Sequence, residues 1–196
     1  MTVKRLGTFT AIMLALCPGL PSVLLQARPI QEQKESAQVE HLLSELRDPQ
    51  LRSNEPEKAF QAISQLGKMK SVAAIDDLVN LLSFERPSTV EQPDKDAYVE
   101  IHLVTTSDRY PATGALIDIG KPALSALVGA IKTHPIGSLE SENATDVILM
   151  ILRERPADAI EYLDEATAQT SAGEERKRLR HALAKANELQ KRLTQR

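Results

Sequence analysis

The chain has 196 residues, 42% hydrophobic and 26% charged, with three Phe, three Tyr and no Trp. These proportions exclude a disordered tail and an aromatic-rich β-sandwich, and leave a core of Leu, Ile, Val and Ala suited to helix packed on helix. The formal net charge of −3 argues against a nucleic-acid partner, because phosphate binding needs clustered cations.

Residues 1–27 read as a signal peptide. Lys4 and Arg5 supply positive charge, Phe9 to Leu16 is apolar, Pro18, Gly19 and Pro21 break any helix, and Leu25-Gln26-Ala27 offers a cleavage site. The apolar run is too short and too interrupted to span a membrane, which takes about 20 residues. Cleavage near Ala27 predicts a periplasmic or secreted protein, and losing Lys4 and Arg5 from the 24 cations leaves 22 against 27 acidic residues, a net charge of −5. The alternative is a lipoprotein anchored at Cys17, although Leu16 is larger than the residue such a signal places before its cysteine. Cys17 is the sole cysteine, so the cleaved chain carries no disulfide, thiolate metal site or cysteine nucleophile.

Residues 28–56 form an N-terminal cap helix and linker. Val39, Leu42, Leu43 and Leu46 recur at helical spacing, and the chain then loops through Asp48-Pro49 to Asn54. Asn54-x-x-Glu57 is a helix-start pattern of the capping-box kind. Within 57–170 an internal repeat appears. Ala62-Ile63-x-x-Leu66-Gly67-Lys68 matches Ala115-Leu116-x-x-Ile119-Gly120-Lys121, and Ala74-Ile75-x-x-Leu78-Val79-x-x-Leu82 matches Ala123-Leu124-x-x-Leu127-Val128-x-x-Ile131. Each copy predicts a helix, a turn at the glycine and a second helix, with Gly67 and Gly120 as helix terminators. A third, weaker unit holds Val147, Ile148, Ile151 and Leu152, then Ala159, Ile160 and Leu163 after Arg155-Pro156. Residues 171–196 form a basic C-terminal cap helix, opened by Ser171-x-x-Glu174 and seamed by Leu179, Leu183, Ala186, Leu189 and Leu193. Its cations are expected to complement the helix dipole and solvate the end of the body; contact with an acidic partner or an anionic surface is the alternative.

Between the first two units lies an insertion, residues 86–109, too long for an ordinary helix–helix connection. Alternation of Val99, Ile101 and Leu103 predicts a short strand near 97–106. A long excursion from a repeat body is the element where function is expected to concentrate, with a merely solvated loop as the alternative. His102, Asp108 and Tyr110 are the residues around which a catalytic site would gather, and Ser107-Asp108 beside His102 brings together the residue types of a hydrolytic triad. No strained nucleophile turn surrounds Ser107, so no catalytic residue is assigned.

Other chemistry is weighed and set aside. Gly114 and Gly120-Lys121 imitate a phosphate loop, but five residues intervene where four are needed, and Pro122 replaces the hydroxyl. His41, His102, His134 and His181 lie in different units, and none is read as having a second histidine or a carboxylate four residues away, so neither a metal nor a cofactor is expected. Asn143-Ala144-Thr145 is a formal glycosylation sequon.

The repeat, together with Tyr110-Pro111-Ala112 ahead of its second copy, resembles the HEAT-like repeats of bacterial exported proteins over roughly residues 57–165. The resemblance implies an all-α protein, a short α-solenoid of stacked antiparallel helix pairs, acting as a non-catalytic scaffold with a protein partner. A cell-envelope enzyme or accessory with a site near 86–110, and a lipid-anchored structural protein, are the alternatives.

Overall fold

The computed structural model describes residues 30–86, 106–171 and 173–195, and among them all regular structure is helical. The expected signal peptide, residues 1–27, lies outside the described residues. So does the strand expected at 97–106, except for Thr106, which opens a helix.

Helix α1, Ile30–Arg47, buries Leu42, Leu43 and Leu46 as its spacing predicts. The predicted loop after it is a helix, α2, Pro49–Asn54: the Asp48 side chain accepts from the Gln50 N–H at 2.8 Å, and Pro49 opens the first turn. Asn54 therefore closes α2 and does not cap α3, Pro56–Lys68. Glu55 takes the cap position without a side-chain bond, and Pro56, which lacks an N–H to satisfy, begins the helix.

Gly67 is not a terminator either. It lies inside α3, buried, with Ala115 so close that a Cβ at 67 would stand 2.7 Å from the Ala115 Cα. Lys70 takes the left-handed position instead, at φ 50°. The Ser71 N–H bonds to the Leu66 carbonyl at 3.1 Å and the Lys70 N–H to the Gly67 carbonyl at 2.8 Å. That pair of bonds is a Schellman closure with lysine where glycine is usual. A 3-10 turn, Val72–Ala74, then leads into the short α4, Ile75–Val79. Helical spacing persists past α4 in tighter turns, and Leu82 is fully buried.

Beyond the insertion come α5, Thr106–Arg109, and α6, Pro111–Ile119. Gly120 does end α6, at φ 80° and ψ −141°, a conformation that demands glycine, and its N–H bonds to the Leu116 carbonyl at 2.9 Å. A 3-10 turn, Lys121–Ala123, starts at once with Pro122 and runs into α7, Leu124–Thr133. The joint bends the chain by 113°, so this pair is angled and not antiparallel: one glycine turns the chain sharply but supplies no loop to complete the reversal. Helix α8, Leu139–Ile151, α9, Pro156–Gln169, and α10, Glu174–Thr194, complete the described body. Helix α10 starts from Gly173 at φ 138° without a side-chain cap, so the Ser171 capping box does not form.

Like helices of the two repeat copies lie together, α3 against α6 and α4 against α7. Helix α1 covers α3, α8 packs on α6 and α7, and α10 lies on α7 and α9. One continuous aliphatic core results, from Leu43 through Leu66, Leu78, Leu116 and Leu127 to Leu163 and Leu179. Among the described residues no single helix is long and apolar enough to cross a membrane; α6 and α7 qualify only as a bent pair, and both contribute buried residues to this core.

Candidate functional site

The ends of the insertion meet. The Arg86 N–H donates to the Arg109 carbonyl at 2.9 Å, and Arg109 Nε donates to Glu85 Oε1 at 2.7 Å. The Arg86 guanidinium bonds both Glu57 oxygens, at 3.0 and 3.2 Å, and lies 4.1 Å over the Phe60 ring. One guanidinium thus pairs with a carboxylate and stacks over a ring at once.

The chain before the neck is fastened from α8. Asn143, only 4% exposed, donates from Nδ2 to the Leu82 carbonyl at 2.7 Å. The Ser83 hydroxyl bonds Glu140, and that bond, with one from Glu140's own backbone N–H, holds the carboxyl below its ordinary range. The sequon at Asn143 is thus a buried structural amide, unavailable to a glycan in the folded chain.

Beside the neck, on the side where α5 begins, an apolar cleft of about 280 Å³ opens between α6, α8 and α10. Ile117, Val147, Leu149, Met150 and Leu189 form its walls, and Ser107, Thr113 and Asp146 bring the polar atoms. Met150 is 43% exposed and Leu189 40%, with Leu193 at 51% one turn further along α10. The predicted seam of α10 is therefore buried only in part: Leu179, Ala182 and Ala186 reach the core, while Leu189 and Leu193 face outward. The cause is length. At about 1.5 Å per residue the 21 residues of α10 run well past the 14 of its neighbour α9.

The Asp146 edge of the cleft belongs to a charge cluster. Lys185 Nζ lies 2.6 Å from Glu142 Oε2 and 2.8 Å from Asp146 Oδ1, and His181 Nε2 is 3.4 Å from Glu142 Oε1. The Lys185 hydrogen bond keeps the Glu142 carboxyl below the usual range despite partial burial. Burial works to lower the pKa of Lys185, but the bonds it donates to Asp146 and Glu142 outweigh it and raise the ammonium above its ordinary value.

Two of the cations of α10 have a local use that sequence reading missed. Arg176 donates to the Thr167 and Ala168 carbonyls at 3.1 and 3.3 Å, at the end of α9. Arg178 donates to the Lys132 carbonyl and, at 3.0 Å, to that of Thr133, at the end of α7. Arg52 likewise bonds the Leu46 carbonyl near the end of α1. Unpaired C-terminal carbonyls carry partial negative charge, and guanidinium groups satisfy both bond and dipole. The cations thus serve the termini of neighbouring helices, not only the dipole of α10 itself.

The residues singled out around the insertion do not share one setting. Ser107 lines the cleft, Asp108 is exposed, and Tyr110 is buried with the Arg109 guanidinium 5.6 Å from its ring centre. His102 lies outside the described residues. His41 does have a carboxylate at that spacing, correcting the expectation that no histidine has one: Glu45, one helical turn away, lies 3.9 Å from its Nδ1. Among the described residues no group of three His, Cys, Asp or Glu side chains is placed to hold a metal, and no buried side-chain nitrogen or oxygen lacks a hydrogen-bond partner.

Fold and site together define an all-helical protein with a clasped insertion neck beside an apolar cleft. Compared with the models of known protein families, with curated proteins and with solved structures, the chain matches none.

Proposed function

We propose that the chain is a non-catalytic interaction scaffold of HEAT-like build, a short α-solenoid whose working face is the α6–α8–α10 cleft beside the insertion. The observation that carries this is the cleft itself: apolar walls, with Met150 and Leu189 left to water next to the neck. Exposed large aliphatic residues grouped around a concavity are a feature of protein-binding surfaces. At about 280 Å³ the cleft has room for one or two apolar side chains from a partner. The stacking of α3 on α6 and α4 on α7 supports the repeat reading, because repeat units bury their faces against the same helix of the next unit. Export through residues 1–27 belongs to the same proposal, and mass spectrometry of the mature N-terminus distinguishes cleavage after Ala27 from lipidation of Cys17.

The test is co-purification from the cell envelope with tagged full chain, with Met150→Lys/Leu189→Lys, and with a chain whose residues 88–106 are replaced by a short linker. A partner held by the parent and lost from the double variant, with the helical circular dichroism signal retained, is the expected result. Recovery unchanged in both variants overturns the assignment of this face.

A further inference from the structure

Residues 30–86 and 106–195 meet across an interface that owes nothing to the covalent link between them. Helix α3 lies along α6 so closely that a Cβ at position 67 would stand 2.7 Å from the Ala115 Cα, and α4 lies against α6 and α7. The buried cluster crosses the junction, with Ile63, Leu66 and Leu78 on one side and Leu116, Ile119 and Leu127 on the other. Its edge is closed by directional bonds: Asn143 to the Leu82 carbonyl, the Arg86 N–H to the Arg109 carbonyl, and Arg109 to Glu85. Neither half has another surface on which to bury these side chains, and a piece as short as 30–86 encloses little core alone.

We infer that each half is the other's docking partner, so that the helical body stays assembled when the chain is cut within residues 87–105. The connection then contributes only effective concentration. Recognition lies in the α3–α6 and α4–α7 faces and in the bonds of the neck. This inference is independent of the binding role proposed for the cleft.

The experiment places a site-specific protease sequence at 93–97 of the full chain and cuts after folding. The two fragments should co-elute at the size of the uncut protein. They should melt in one transition whose midpoint falls on tenfold dilution, whereas the uncut chain melts independently of concentration. Separate elution of the fragments, or precipitation on cutting, overturns the inference. Gly67→Val supplies the second arm: cut protein carrying it should fall apart at a concentration where the cut parent holds together, while the uncut variant still elutes as a folded monomer. If the cut variant holds as firmly as the cut parent, the α3–α6 face is not what joins the halves.

Discussion

Two glycines on helices make opposite predictions for the same substitution. At Gly67 a methyl group would sit 2.7 Å from the Ala115 Cα and 2.9 Å from its Cβ, where ordinary contact is 3.4–4 Å. Both obstacles are part of or fixed to the backbone of α6, so no rotamer change relieves them and the helices must part. Overpacking of this kind costs about 1–3 kcal/mol, against a gain of about 0.5–1 kcal/mol from replacing glycine within a helix. Gly67→Ala should therefore lose up to about 2.5 kcal/mol, which at about 2–4 °C per kcal/mol for a chain of this size is a fall of up to about 10 °C in Tm. Gly129 on α7 has nothing within 4 Å of its Cβ position, so Gly129→Ala should gain about 0.5–1 kcal/mol from helix propensity alone. Thermal melts followed at 222 nm, with urea titrations to check that the m-value is unchanged, compare parent and both variants. A Gly67→Ala protein raised in stability alongside Gly129→Ala would refute the close α3–α6 approach.

Gly120→Val should cost about 1–3 kcal/mol by urea denaturation, because φ 80° with ψ −141° is closed to a β-branched residue; a parental midpoint would mean that the joint is not built as described. Asn143→Ala removes the buried donor to the Leu82 carbonyl and should destabilise by about 1–3 kcal/mol. Hydrogen exchange should quicken around residues 80–86 before it quickens in α9, and uniform loosening would count against a local pin. For the charge cluster the sign follows from the depressed carboxyl of Glu142. Its contribution is fully present above its unfolded pKa of about 4.3 and is lost as pH falls through the lower folded value, since the unfolded chain then binds the proton more readily. Glu142→Gln should thus be less stable than the parent at pH 7 and show a shallower loss between pH 4 and pH 2; parallel acid limbs for the two proteins would remove Glu142 from the account.

The helices that carry long apolar stripes were legible in sequence, because burial follows periodicity: Leu42, Leu43 and Leu46, or Val147 and Ile148, reach the core where spacing puts them. The turns were less so. Gly67-Lys68 and Gly120-Lys121 look alike, yet one glycine makes room for a neighbouring helix and the other turns a corner. Pro122 marks the second case, whereas the four extra residues after Gly67 let α3 run on to Lys68 and close over Lys70. Capping was misread where proline intervened, since Pro56 starts a helix without needing Asn54. The site was least legible. Arg178 serves a carbonyl 45 residues away, and Met150 meets Leu189 across a cleft between separate helices. Side-chain spacing along one helix contains no information about such partners.

The most direct test of the binding face is site-specific photo-crosslinking in living cells. A photoreactive side chain is placed at Met150, at Leu189, and, as a control, at Gln61 in the groove between α1 and α3. The account predicts one discrete protein adduct from positions 150 and 189 and none from 61. No adduct from either cleft position, or the same adduct from Gln61, would contradict it.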